Sequence, residues 1–316
     1  GTAVAPPHRP LGVLYRGVAL NDIAQLLIAQ LLDRCTFPPP GAAVTCGLSG
    51  GADSAALVAL AVAAGCDVTA VHVHHGLRTS ADHDADVAAT IAERLGAHFR
   101  VTHVQVEPGS NLEARARTAR RAALGPDAMT GHTADDQAET LLLALLRGAG
   151  ATGLGAIGPG RRHPILALRR AETRALCAQL GLVVAEDPSN DDRRFRRNRI
   201  RHEVLPLLDD VAERDVAALL ARTADLLRAD DQFLDELAAG IDPTDAPALV
   251  AAPGVLAARA IRQWLEHEGY PPDADSVQRV LAVAAGDAAA CELVGGRRVE
   301  RRGNRLHLDT TPAPKR

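Results

Sequence analysis

The hexapeptide Ser49-Gly-Gly-Ala-Asp-Ser54 follows a short apolar run, Val44–Leu48, and opens a helical stretch. Gly50 and Gly51 let backbone N–H groups approach a ligand with no Cβ in the way. Ser49 and Ser54 add hydroxyl donors, Ala52 keeps the turn small, and the start of a helix adds positive dipole. Such a loop suits a polyphosphate. Asp53 would be repelled by bare phosphate, so its presence calls for a Mg²⁺ accompanying a nucleotide, with Asp53 as its ligand. A glycine-rich turn between strand and helix is also an ordinary way to reverse a chain. The whole hexapeptide is more specific than its glycines.

A second group is Gly131-His-Thr-Ala-Asp-Asp-Gln-Ala-Glu-Thr140. A helix beginning near Ala134 places Asp136 and Glu139 three apart on one face. Acids in a first helical turn are also what the helix dipole favours, so the pair has a bland reading. Over a cleft it could hold an ammonium group or a Mg²⁺, through charge-assisted hydrogen bonds worth roughly 1.5–3 kcal/mol each. His132 either contacts nucleotide or anchors the strand end. A third group, Val71-His-Val-His-His-Gly-Leu-Arg78, alternates so that His72 and His74 share a face. It reads as a histidine metal pair, as a polar strand end turned to solvent, or as the wall of a nucleoside pocket with His74 on it. The fourth is Glu186-Asp-Pro-Ser-Asn190 followed by Arg193–Arg201, in which six of nine residues are Arg. A charge run is usually a solvated face. Phe195, Asn198 and Ile200 break this one up, and its guanidiniums suit phosphates or a base edge.

The elements that must carry these groups alternate. Strands are expected at Ala43–Leu48, Val68–His74, Phe99–Val104 and Ala128–Gly131, with helices from Ser54, Ser80, Asn111 and Ala134. That order predicts an α/β fold, a parallel sheet with helices on both faces. Asn21 is expected to cap an earlier helix with Ile23, Leu26, Leu27 and Leu31 on one side. Residues 148–164, with six Gly and two Pro, form a loop before a strand at Ile165–Leu168 and a helix near Ala171–Leu180. From Val211 the pattern becomes helical, ending in short strands near Cys291–Val294, Arg298–Arg301 and Leu306–Leu308. Two domains are expected, residues 1–210 and a smaller, mostly helical 211–316.

Composition removes several chemistries. Of 35 basic residues only Lys315 is lysine, which excludes a Schiff-base lysine and a Walker-type phosphate loop. Aromatics at 2% argue against base reading by stacking platforms. The five cysteines form no CxxC pair, which argues against a cysteine zinc site or iron–sulfur cluster and suits a reducing cytoplasm. No apolar run is long enough for a membrane span. The net charge of −4 hides an asymmetry: residues 111–205 carry 16 Arg against 11 acids, while the flanking segments are acidic. A polyanion held at one localised surface fits that distribution.

Ser49–Ser54 resembles the SGGxDS loop of the PP-loop ATP pyrophosphatases. All four motifs, in order over roughly residues 41–208, resemble one family within that group, the tRNA(Ile)-lysidine synthetases. That pattern is SGGxDS, an HVxHGLR strand end, GHxxDDQxETxLxxLxRGxG and DPSNxDxxFxRNxIRxxLLP. Departures are small: Arg121 stands where an aromatic is usual, and Glu203-Val-Leu-Pro206 lacks the paired Leu. The resemblance implies ATP-dependent attachment of L-lysine to the wobble cytidine of a tRNA(Ile) with a CAU anticodon. It implies that Ser49, Gly50, Gly51, Ala52, Asp53, Ser54 and His74 bind ATP with Mg²⁺. Asp136 and Glu139 would hold lysine, with His132 beside them. Arg115, Arg197, Asn198 and Arg201 would contact tRNA, and the basic end at Arg297–Arg305 would grip another part of it. The acidic helices at 206–290 are then scaffold or homodimer contact. A 2-thiocytidine-forming enzyme shares the loop but uses CxxC cysteines. A non-catalytic RNA-binding protein would leave the acid pair unexplained.

Overall fold

The computed structural model describes residues 21–74, 81–105, 112–185, 192–266 and 272–309. Helix α1, Asp22–Leu32, starts where the Asn21 carboxamide oxygen accepts the Ala24 N–H at 2.8 Å. It buries Ala24, Ile28 and Leu31 and leaves Ile23 and Leu26 exposed, so its apolar face is rotated from the expected one. Strands β1 (Ala43–Gly47), β2 (Asp67–His74) and β3 (His98–His103) form a parallel sheet in that order. Helices α2 (Ala52–Ala63) and α3 (Ala81–Leu95) make the crossovers, and α4 (Leu112–Leu124) follows β3. On the free edge of β1, Met129 N donates to Thr45 O at 2.8 Å and Gly47 N to Met129 O at 2.9 Å. The expected fourth strand is thus a single parallel bridge.

Alternation along β1 places the two layers. Val44, Cys46 and Leu48 enter a core with the apolar length of α2, which is buried from Ser54 to Val62. The opposite face passes under α4, where a Cβ on Gly47 would stand 3.2 Å from Leu124. Helix α5 (Ala134–Leu145) begins just beyond Met129, and α6 (Ala151–Leu154) is one turn within the glycine-rich loop.

Ile165–Leu168 is no strand. Leu166 N donates to His163 O and Leu168 N to Ile165 O, which are turn bonds, and Ile165 and Leu168 are fully buried. A four-residue apolar run behind a proline satisfies its burial equally well as a turn. This turn feeds α7 (Arg170–Gln179), which packs on α2. Next come α8 (Arg196–Arg199), a π-helical turn at Ile200–Val204, α9 (Leu205–Ala212) and the long α10 (Val216–Ala239).

The chain divides into two compact units, residues 1–225 and 226–316, the division falling within α10. The second unit holds the end of α10, α11 (Ala246–Ala251), α12 (Gly254–Leu265) and α13 (Ala274–Ala285). An antiparallel sheet of β4 (Ala290–Glu292), β5 (Arg298–Arg302) and β6 (Arg305–Asp309) completes it. Leu249, Ile261, Leu265, Val280, Val283, Val299 and Leu306 make its core. No described helix is long and apolar enough to cross a membrane. Gly76–Arg78, Asn111 and Glu186–Asn190 lie outside the described residues.

Candidate active site

The turn between β1 and α2 is built by its own side chains. Ser54 Oγ donates to Gly51 O at 2.8 Å and accepts the Ser49 N–H at 3.1 Å, and the two hydroxyls lie 3.1 Å apart. Gly50 takes φ +93°, a conformation that L side chains rarely adopt, and its carbonyl accepts the Ala185 N–H at 2.9 Å. Gly51 sits at the helix N-cap with no side-chain cap, so the first-turn N–H groups face outward for a ligand.

Gly131 brings the second motif against this loop. A Cβ there would stand 2.6 Å from the Asp53 carbonyl oxygen and 3.0 Å from Ser54 N, a separation only glycine permits. One residue later, His132 Nδ1 lies 2.8 Å from Thr130 Oγ1, which is 2.9 Å from His163 Nδ1. The two imidazoles meet edge to face, centroids 4.8 Å apart. Thr133 starts α5, and Asp136 Oδ2 accepts from the Thr133 N–H at 2.9 Å and hydroxyl at 3.0 Å. Half of Asp136 therefore does cap the helix, as the bland reading held.

The other half faces a cluster of guanidiniums. Asp136 Oδ1 accepts from Arg170 Nη2 at 3.2 Å and Arg197 Nη2 at 3.1 Å. Glu139 is fully buried and accepts from Arg170, Arg197 and Arg201, with its closest contacts at 2.6 Å to Arg197 Nε and 2.7 Å to Arg201 Nε. Arg170 Nε reaches back to Asp53 Oδ2 at 3.4 Å, so one guanidinium touches the phosphate loop and both acids. Burial alone would raise the Asp136 carboxyl; Arg170 and Arg197 outweigh it and hold the group below its ordinary value. Asp53 goes the other way. Burial raises it more than the Thr173 hydroxyl and Arg170 lower it.

Helix α7 fixes this arrangement from behind. Buried Thr173 donates to Asp53 Oδ1 at 2.5 Å and Cys177 Sγ to Ala52 O at 3.4 Å. Arg169 pairs bidentately with Asp135, whose carboxylate also takes the Arg170 N–H at 2.7 Å.

The acid pair shares a face, as its spacing suggested, and the fold brings it together with the loop and Gly131-His132. Arg197 and Arg201 are not an outward basic face: they turn inward onto Asp136 and Glu139. Arg193, Arg194, Arg196 and Arg199 have the exposed side chains. Asn198 is buried and donates to Asp192 O at 3.0 Å. Arg115 is half-buried, with Nε and one terminal nitrogen buried and unpartnered. His72 does not face solvent. It is buried, bonded through Nδ1 to Leu48 O at 2.9 Å, and its pKa is lowered by burial. His74 Nε2 meets Asp82 at 3.1 Å, so the two rings share no metal-like focus. Arg298 and Arg305 in the basic C-terminal end pair with Glu292 and Asp242.

Arg170 and Thr173 were not among the site residues that the sequence motifs suggested. A signal was present. Two arginines opening a helix oppose its dipole and need a local anion to justify them.

A parallel sheet whose first strand feeds a glycine-rich phosphate turn, with an acid pair beside it, is the architecture of PP-loop proteins. Residues 22–208 match the family model described as PP-loop domain, and residues 245–307 match that described as TilS substrate binding domain. The tRNA(Ile)-lysidine synthase of Nocardia farcinica is 46% identical over 260 residues, 77% of this chain and 82% of that protein. That of Cutibacterium acnes is 36% identical over 305 residues, 90% of this chain and 96% of that one. The solved U34-tRNA thiolase NcsA from Methanococcus maripaludis, with its 4Fe-4S cluster, superposes with TM-score 0.54 at 17% identity. It covers 65% of this chain and 78% of that one, and speaks to the fold alone. The chain belongs to the tRNA(Ile)-lysidine synthase family of PP-loop proteins.

Proposed function

We propose that this protein joins L-lysine to C2 of the wobble cytidine in a tRNA(Ile) with a CAU anticodon, using ATP and releasing AMP and pyrophosphate. The observation that carries the reading is the apposition, in a member of this family, of a phosphate loop to an acid pair of buried Glu139 and partly buried Asp136, with Arg170 touching both.

In the first step the cytosine C2 oxygen attacks the α-phosphorus of ATP, forming an O–P bond as the bond to pyrophosphate breaks. Ser49, Gly50, Gly51, Ala52 and Ser54 cradle the polyphosphate through hydroxyls and first-turn N–H groups. Asp53 fits a Mg²⁺: its hard carboxylate oxygens are partly exposed at the loop, its pKa is raised, and an added cation would favour the charged form. Such an ion would neutralise polyphosphate charge. His74, at the carboxyl end of β2, is assigned to the nucleoside side.

In the second step the lysine ε-amine attacks C2, the C–N bond forms, and the C2–O bond breaks to release AMP. Asp136 and Glu139 receive the lysine ammonium, with His132 near enough for its charge to act on Asp136. The ammonium must lose a proton before it attacks. Arg115 is assigned to the tRNA together with the exposed Arg193, Arg194, Arg196 and Arg199, because Arg197 and Arg201 are held inward on the acids and Asn198 is buried. The acidic helices at 206–290 are assigned to scaffold or dimer contact. Five free thiols suit a reducing, cytoplasmic setting.

The first step is separable from the second. With ATP labelled at the α-phosphate and a CAU-bearing tRNA(Ile) transcript, but no lysine, label is expected on the tRNA together with pyrophosphate. Pyrophosphate release that ignores the tRNA would overturn the reading.

A further inference from the structure

Both acids of the amine subsite have their acceptor positions filled. An ionised carboxylate offers about four lone-pair sites. Glu139 accepts Arg170 Nη1 at 3.2 Å and Arg201 Nε at 2.7 Å on Oε1, and Arg197 Nε at 2.6 Å and Arg201 Nη2 at 3.3 Å on Oε2. Asp136 takes two donors from Thr133 on one oxygen, and Arg170 and Arg197 on the other. An ammonium can bind here only if a guanidinium leaves. The three candidates differ. Arg197 and Arg201 each hold Glu139 through a short Nε contact, whereas Arg170 touches each acid once, at 3.2 Å. Of the three, Arg170 alone also reaches the phosphate loop, through Asp53. An anion in that loop therefore gives Arg170 a second place to go.

We propose that Arg170 is the resident cation of the amine subsite, and that polyphosphate in the Ser49–Ser54 loop draws its guanidinium off Asp136 and Glu139. One positive charge leaves and one acceptor position opens on each acid, which is what a lysine ammonium requires. Charge balance within the buried cluster is preserved by the exchange. Nucleotide and lysine then bind with positive coupling, and by linkage each tightens the other by the same factor. Lysine therefore binds more tightly beside a loaded phosphate loop, through an arginine that takes no part in the bond-making steps. This inference rests on the reading that Asp136 and Glu139 receive lysine.

The test is equilibrium dialysis of labelled L-lysine against the full chain, with and without α,β-methylene-ATP and Mg²⁺. For the unchanged protein, lysine affinity is expected to rise about tenfold with the analogue. Arg170→Gln is expected to bind lysine without nucleotide at least as tightly as the unchanged protein does with it, at a ratio near one. Circular dichroism checks its folding. If that variant is unfolded, Arg170→Lys decides: its compact ammonium cannot span Asp53 and both acids, so most of the ratio should vanish. An undiminished ratio in the folded variant overturns the proposal. Equal lysine binding in both states of the unchanged protein overturns it while leaving the acid pair as lysine receptor. No lysine binding in either state removes both.

Discussion

Glu139 carries the largest electrostatic burden of any single residue in the site. It is fully buried and faces three guanidiniums, so Glu139→Ala strands positive charge in the interior. Removing one partner of a buried pair costs about 3–5 kcal/mol, and the urea midpoint should fall accordingly. Asp136 and Asp53 respond to pH with opposite signs. The Asp136 pKa is held below its ordinary value near ~4, so its contribution is complete above that value and is lost as pH falls through the lowered one. Asp136→Asn should flatten the acid limb of stability as pH falls below the ordinary value near ~4, measured by urea unfolding. The Asp53 pKa is raised, so folding disfavours its charged form. Asp53→Asn should leave the thermal midpoint unchanged or higher while ATP-dependent adenylation is lost; a marked fall in midpoint would contradict the assignment.

At the scale of elements, α7 decides the geometry: Thr173 ties it to Asp53, Cys177 to Ala52, and Asp135 to its first N–H. Thr173→Val keeps the shape and removes that hydroxyl. It should cost about 1–3 kcal/mol and raise the ATP KM more than it lowers kcat, read from steady-state adenylation. A pure kcat loss would mean that Thr173 does not position the loop. This element was only partly legible. The sequence pattern located α7 within a residue of its start, because the stretch is regular and amphipathic. It did not say that Arg170 faces inward, since a run of arginines looks alike whether solvated or paired. Arg197 and Arg201 show the same limit. Four residues apart, they share a face across α8 and the π-helical turn, and that face meets Glu139. The acid pair, by contrast, was readable, because a capped first turn fixes where i and i+3 side chains project. Ile165–Leu168 was misread because burial without hydrogen-bonded neighbours does not distinguish strand from turn.

For the whole molecule, the asymmetry of charge acquires a more specific meaning. The net +5 of residues 111–205 is not all available to a polyanion, since Arg169, Arg170, Arg197 and Arg201 are committed to internal carboxylates. The exposed remainder is spread over several elements and includes Arg120, Arg121, Arg147, Arg161, Arg174 and the group Arg193, Arg194, Arg196 and Arg199, and the second unit adds basic strands that are partly neutralised by their own acids. A chain almost without lysine leaves nothing of its own chemistry to confuse with a lysine substrate. The most direct measurement follows from that. The protein is incubated with ATP, labelled L-lysine and a tRNA(Ile) transcript bearing a CAU anticodon, and label is counted in the tRNA. Incorporation that requires ATP and disappears with Asp136→Asn is the expected result; no ATP-dependent label in the tRNA would contradict the account.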